Sequence, residues 1–468
     1  MASQSYVGPV FRPGTPIRPA SRAPSKDRAY VLLAILAALL PASVRAQSDQ
    51  DQRSTSLPPA IKWTVNFDAG WGTFGFANSL YANTHEGVSE NLSDQWFEGY
   101  VKPALSGEHT LSSSSVLYGK VSVVGERTYG SAPDIFGADV SSFGPEDLYI
   151  GWRSGESIGS SENLLDVVVG RAQYQLGHGF LLFDGAAEGG SRGGYWTQAR
   201  KAFELAAIAR LKPGPHTGEV FYLDRDDLSE DETGTRLWGA NYELALGEHS
   251  TLGATYMKFY AHHDVLPERD GLNVFNWRTY ASPSAVPDIS FEFEYASERN
   301  GDALTSNAWT ALGSYQFSDL RFKPKLTYRY AFFQGDDPGT SANEAFDPLL
   351  IGFYDWGSWW QGEIAGEYFL SNSNLISHQV RGQLELTDAI STGAILYKFR
   401  LDHPETFAQG VSSKDVAFEA DFYTDWKLTE NFSLSLLGAF NKPGLAVEQA
   451  TGRTKHFRYG MAYVGYSF

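Results

Sequence analysis

Cysteine is absent from all 468 residues, which excludes disulfide scaffolds, thiolate metal sites and cysteine nucleophiles. Long apolar runs are almost absent as well. The only one, residues 29–41 (AYVLLAILAALLP), is shorter than the roughly 20 residues of a membrane-spanning helix, and no later stretch has the periodicity of a long amphipathic helix. Cations are in short supply: 37 Lys and Arg stand against 55 Asp and Glu, a net charge of −18. An acidic exterior argues against nucleic acid as a partner, although an anionic ligand stays open because only the wall it touches must be positive.

The apolar run follows Arg22, Lys26 and Arg28 and precedes Ser43-Val44-Arg45-Ala46. A basic segment, a short apolar segment and a small residue at the cut describe a secretory signal over residues 1–46, with cleavage after Ala46. Residues 47–60 are polar and read as a periplasmic leader. Without residues 1–46 the chain holds 31 cationic and 54 acidic side chains, a net charge of −23.

Abundant instead are Gly (47), Phe (30), Tyr (25) and Trp (12), with a mean hydropathy of −0.29. From Ile61 onward, segments of about ten residues alternate apolar and polar side chains, the period of a strand with two unlike faces. Trp63/Val65/Phe67, Phe97/Val101/Leu105, Leu148/Ile150/Trp152, Phe291/Phe293/Tyr295, Ile376/Val380/Leu384, Ile395/Tyr397/Phe399 and Phe418/Phe422/Trp426 form the apolar faces. Lys62, Glu98/Lys102, Glu292/Glu294, Arg381, Lys398/Arg400 and Glu419/Asp421 fall opposite them.

The clearest case is Arg321–Phe333, where Phe322, Leu326, Tyr328, Tyr330 and Phe332 share one side and Arg321, Lys323, Lys325 and Arg329 the other. A wall between lipid and a watery lumen requires this pattern.

Tight and long connections alternate along the chain, which places the short ones in the periplasm and the long ones outside. Strand starts near 61, 93, 111, 145, 163, 195, 217, 235, 250, 270, 288, 305, 321, 376, 391, 413, 431 and 455 give an all-β transmembrane antiparallel barrel of about 18 strands over residues 61–468. The stretch 363–370 also reads as a strand, so 16 or 20 stay open. Segments 172–194 and 334–375 are the candidate lids over a lumen too wide for side chains to fill. The last eight residues, Met461–Phe468, form an aromatic strand ending on Phe468, the signature read by the barrel-insertion machinery of the Gram-negative outer membrane.

Three motifs carry no chemistry in this setting. Gly155-Glu-Ser-Ile-Gly159 matches a nucleophile elbow but lies between two strands, so it reads as a hairpin turn. His262-His263-Asp264 lacks the spacing of a metal site and reads as a loop tip. Asp224–Glu232 lacks the glycine of a calcium loop and reads as a solvated external loop, or a divalent-ion bridge to lipopolysaccharide. No catalytic residue, metal ligand or cofactor site is expected. The inward Lys62, Lys102, Arg153, Arg321, Lys323, Lys325, Arg329, Arg381, Lys398 and Arg400, with Glu292 and Glu294 beside them, are the candidate lumen lining. Such a lining selects anions by focusing positive potential across a low-dielectric wall.

Val-Gly-Arg171-Ala-Gln173, Arg192-Gly-Gly-Tyr-Trp196, Ala199-Arg200-Lys201-Ala-Phe203, Thr235-Arg236-Leu-Trp-Gly239 and Asp355–Ile364 (DWGSWWQGEI) resemble the alginate-export family of outer-membrane porins. The resemblance implies a monomeric 18-stranded barrel that conducts an anionic uronate polymer out of the periplasm through an Arg- and Lys-rich constriction, covered in part by loops. By local context Lys62, Arg153, Arg171 and Arg200 fall on that constriction. The partners implied are an anionic polysaccharide or small anions, outer-membrane lipid and lipopolysaccharide. A porin that takes up small anions is the alternative, and an outer-membrane enzyme a more remote one.

Overall fold

A computed structural model describes residues 61–80, 93–111, 114–130, 139–158, 162–186, 191–229, 232–353, 355–358 and 361–468. The signal segment and leader, residues 1–60, lie outside the described residues. Eighteen strands follow in order: β1 Lys62–Ala77, β2 Ser93–Thr110, β3 Val116–Gly130, β4 Ser141–Arg153, β5 Leu165–Ala172, β6 Phe203–Leu211, β7 His216–Asp224, β8 Arg236–Ala245, β9 Ser250–Tyr260, β10 Asn273–Ala281, β11 Ile289–Asn300, β12 Leu304–Gln316, β13 Lys325–Phe333, β14 Leu375–Thr387, β15 Ile390–Arg400, β16 Asp415–Lys427, β17 Phe432–Pro443 and β18 Phe457–Ser467. Each pairs antiparallel with its chain neighbours, and β1 also pairs with β18, so the sheet closes on itself. Closure leaves no edge strand with unpaired backbone groups, the condition for sheet structure in lipid. At the seam Phe468 exchanges backbone hydrogen bonds with Phe67 (3.1 and 3.2 Å), and their rings stack at 6.1 Å.

Alternation sets the two surfaces. Outward positions carry large apolar side chains left bare, such as Leu148 (60% exposed) and Trp277 (66%), and only a lipid environment makes that favourable. The longest connections, 173–202 and 334–374, lie at one end of the barrel and most of the short ones at the other, with 301–303 a tight turn at the long-loop end and 154–164 a longer connection at the short-turn end. The short helix α1, Leu445–Thr451, belongs to the β17–β18 loop at the long-loop end.

Two segments depart from the alternation reading. Residues 321–324 are a turn, not strand: Phe322 and Lys323 have φ of +67° and +38°, and Pro324 has no N–H for the ladder, so pairing starts at Lys325. Residues 362–366 form one π-helical turn inside the β13–β14 loop rather than a strand, so no extra pairing shifts the count.

A third departure concerns β15. Ile395, Tyr397 and Phe399 are buried and share register rows with the inward Gln379, Arg381, Glu419 and Asp421. Lys398 and Arg400 therefore face outward with Leu396. The cause is the lumen's content: where a folded loop fills it, the inward face can be as apolar as the outward one.

Candidate functional site

Two long loops occupy the lumen in its long-loop half. Residues 173–202 connect β5 to β6, and residues 334–374 connect β13 to β14. They hold each other through a parallel bridge between Leu182 and Leu350 and the bonds Phe183 N–H to Leu350 O (2.7 Å) and Leu350 N–H to Leu181 O (3.0 Å). Phe180 packs on Phe346 and Phe333, Tyr195 stacks on Tyr368, and the Tyr195 hydroxyl donates to the Glu367 carbonyl (2.7 Å). Leu176, Phe180, Leu181, Leu182, Ile364 and Tyr368 are all buried.

An inserted loop has backbone N–H groups that no ladder satisfies, and each costs about 1–3 kcal/mol if buried alone. The wall answers with carboxylates, which only accept hydrogen bonds and offer two oxygens each. Glu98 on β2 accepts from the N–H of Trp196 (2.9 Å) and Thr197 (3.0 Å). Glu126 on β3 accepts from Ala199 (3.3 Å), and Glu146 on β4 from Lys201 (2.9 Å) and Ala202 (3.1 Å). Across the lumen Glu298 on β11 takes the Asp347 N–H (2.9 Å). On β16 Glu419 takes those of Ile364 (2.8 Å) and Ala365 (2.9 Å), and Asp421 that of Glu363 (3.3 Å). All six wall carboxylates are buried. They tie both loops to the wall around the barrel.

Glu363 closes a further contact, accepting from the Trp196 indole N–H at 3.3 Å. Burial first, and the neighbouring Glu419 second, push its carboxyl up to about 8 against that single indole bond. Burial raises Glu367 well above the ordinary range too, with repulsion from Glu363 and Glu98 adding to it.

In the short-turn half the lumen is open. A cavity of about 650 Å³ is bounded by β1–β4 and contains Lys62, Asp68, Lys120, Tyr149 and Arg153. Its cations have acid neighbours: Lys120 meets Asp147 at 2.9 Å, and Arg153 meets Glu108 at 2.5 Å while lying 4.5 Å over the Tyr118 ring. Lys102 sits opposite Asp68 in the same inward row.

At the long-loop ends of β5 and β7 three guanidiniums converge on one carboxylate. Arg171 binds Asp226 by two bonds (2.8 and 3.1 Å), with Arg192 at 3.5 Å and Arg200 at 3.8 Å. Burial alone would raise the Asp226 carboxyl, but these guanidiniums outweigh it and hold the group below its usual range. A bulge at Gly170, whose φ of +131° suits glycine, shifts the register at Arg171.

The sequence-derived positions therefore separate. Lys62 and Arg153 line the open cavity, whereas Arg171 and Arg200 meet at Asp226. Lys325 and Arg329 face inward on β13. Arg329 is buried and donates to the Gly357 carbonyl (2.5 Å), and Arg381 binds Asp355 (2.6 Å) and the Tyr423 hydroxyl (2.7 Å), so both brace the β13–β14 loop. Arg321 lies in the turn with Lys323, and Lys323 pairs with Glu385 at 3.1 Å. Glu292 meets His178 at 3.0 Å, and Glu294 accepts from Asn276 (3.0 Å) and Tyr280 (3.1 Å), one strand removed from β13. Lys398 and Arg400 are outside the lumen.

Reading by alternation places Glu98, Glu419 and Asp421 inward but not their role as anchors, and it passes over Glu126, Glu146, Glu298, Lys120 and Arg192. In the acidic loop after β7, Asp226 takes the three guanidiniums, and Asp227 accepts from the Thr233 N–H (2.7 Å), so these two are structural rather than solvated. Among the described residues no group of three or more His, Asp or Glu is placed to hold a metal ion.

Residues 272–461 match the model of a family described as alginate export, so the resemblance to that family holds over this stretch. No curated relative matches the chain. Several solved outer-membrane proteins of Pseudomonas aeruginosa share the fold. OpdK is 11% identical with a TM-score of 0.55, covering 86% of this chain and 98% of its own. OccK8 (OprE) is 10% identical with a TM-score of 0.54, and OccK7 (OpdD) 10% identical with 0.53, each covering 87% of this chain and 98% of its own. The chain is thus built as a closed 18-stranded porin-type barrel, the architecture of an outer-membrane channel.

Proposed function

We propose that this channel passes an anionic saccharide, with export of a uronate polymer from the periplasm as its principal task. The observation that carries the reading is the position of the open half. The cavity with Lys62, Lys120 and Arg153 opens among the short turns, which in such barrels face the periplasm, while the two loops narrow the external half. A ligand arriving from inside meets cations first and then the Arg171, Arg192 and Arg200 group. Their acid partners keep each site shallow enough for a ligand to leave again. The alginate-export match over residues 272–461 supports the same substrate class. No covalent chemistry and no cofactor enter this reading.

One observation favours uptake of small anions instead. The loops pack with buried aromatic side chains and carboxylate anchors, and a polymer needs a wider path than a monomer. Recordings in planar bilayers separate the two. Polymannuronate added at the short-turn side should block the ionic current reversibly while glucuronate monomer passes. Free passage of monomer with no block by polymer would favour the uptake channel, and a cation-selective pore would overturn both.

A further inference from the structure

On the lipid face the cations are placed unevenly. Among the described residues the outward Lys and Arg lie at the long-loop ends of their strands. Most of them are satisfied by the protein: Arg299 donates to the carbonyls of Glu298 and Ser306 (2.6 Å each), Lys258 to Gly271 O (3.3 Å), and Arg127 lies 4.2 Å over the Tyr129 ring. Arg236 on β8 stands alone in register with Asp224, whereas the sector β15–β18 gathers several such cations. Lys398, Phe418 and Lys442 stand in one cross-strand row on β15, β16 and β17. Arg400 is two residues beyond Lys398 on its strand, and Arg458 on β18 pairs in register with Phe440, diagonal to Lys442 on the same face. Arg400, Lys442 and Arg458 are exposed and make no ion pair among the described residues. Asp415 binds Lys398 and stands in register with Arg400, so the four cations outnumber that acid by three.

Phe418 stands between Lys398 and Lys442 in their row, and Leu396 and Phe440 lie one row below it on the same face, the two phenyl rings 6.3 Å apart, so apolar side chains sit among and beneath the cations. The run from Phe432 to Lys442 on β17 climbs roughly 25 Å along the membrane normal at the rise and tilt of such barrels, about the height of the apolar band. Lys442 and its neighbours therefore stand at the outer headgroup level. Cations held there without an ion-pair partner favour an anion from the membrane, and the apolar side chains among and beneath them favour acyl chains.

We propose that Arg400, Lys442 and Arg458, assisted by Lys398, bind the phosphates of one lipid A molecule of the outer leaflet, its acyl chains resting on Leu396, Phe418 and Phe440. The proposal rests on the outer-membrane reading of the barrel and is independent of what the lumen conducts. Short-range charge pairs to two phosphates fix the lipid, and these apolar side chains orient it.

The full-length mature protein, folded in detergent micelles, is titrated with bisphosphorylated lipid A and read by native mass spectrometry. Replacing Arg400, Lys442 and Arg458 by Ala should reduce retained lipid A roughly tenfold or more, as removal of three cations at an anionic surface demands. A control carrying Arg299→Ala and Lys258→Ala should retain lipid A like the parent protein. Heat-modifiable electrophoretic mobility confirms that each variant is folded, and the single change Lys442→Ala, expected to weaken binding partially, serves if the triple change fails to fold. Equal retention by the triple variant overturns the proposal. So does equal binding of dephosphorylated lipid A, which would leave only an apolar shelf, or of phosphatidylglycerol, which would leave a generic attraction for anionic lipid.

Discussion

The two halves of the lumen use the same residue types for opposite ends. In the long-loop half, acids on the wall are buried and bind backbone N–H groups of the inserted loops, as Glu98 does for Trp196 and Thr197 and Glu419 for Ile364 and Ala365. In the short-turn half, acids such as Asp147 and Glu108 stand beside Lys120 and Arg153 around an open cavity. One half holds a constriction and the other a vestibule. The net charge of −18 therefore says little about the potential a ligand meets, because part of the acid content is bound up in anchoring.

The largest effect is expected from removing anchors. Glu98→Ala together with Glu419→Ala strips the acceptors from four backbone N–H groups, two of them buried and two half-buried, at about 1–3 kcal/mol for each buried group left unsatisfied, and should release both loops from the wall. Single-channel conductance should rise at least about twofold, since an 18-stranded lumen is wide once emptied. The barrel itself should stay folded, as shown by unchanged heat-modifiable mobility, because its strand ladder does not involve these side chains.

Next in size is charge reversal in the vestibule. Lys62→Glu, Lys120→Glu and Arg153→Glu combined should shift the zero-current potential in a salt gradient toward cation preference by tens of millivolts, an order set by the field of a few charges in a narrow polar path. The turn residue Lys323, changed to Glu, should leave that potential nearly unchanged, and so should Lys398→Glu on the outer face.

A smaller and graded effect follows from pH. Glu363 keeps its proton up to about 8 in the seated loop and loses it near 4.5, its ordinary value, once the loop is free. The seated state thus binds more protons, so its stability falls as pH rises from about 4.5 to about 8 and levels off above that. Channel openings should become more frequent over this window, with the rise reduced in Glu363→Gln and reduced further when Glu367→Gln is added, since burial raises Glu367 as well. A pH response that persists unaltered in both variants would assign it to other groups.

Much of the barrel is legible in the sequence, because period-two alternation and the spacing of turns report directly on a wall with two unlike faces. Strands β1, β2, β9, β12, β14 and β15 begin within a residue of where alternation places them. What is not legible follows from the loops. Alternation assumes that the inward face meets water, and at Ile395, Tyr397 and Phe399 it meets the β13–β14 loop instead, which reverses the reading of Lys398 and Arg400. The stretch 363–370 looks like a strand because its apolar residues pack inside the lumen rather than against lipid. Likewise, alternation puts Glu98 inside but cannot say that its partners are the backbone of residues almost a hundred positions away. Arg171 and Arg200 come together only because a bulge re-aims one and a loop carries the other, neither of which leaves a local pattern.

The most direct test of the anchored-loop account is the conductance of Glu98→Ala/Glu419→Ala against the parent channel in the same bilayer. A rise of about twofold or more, with the folded mobility of the barrel retained, is the predicted result. An unchanged conductance from a folded variant would contradict it, and the wall carboxylates would then not be what holds the loops in the lumen.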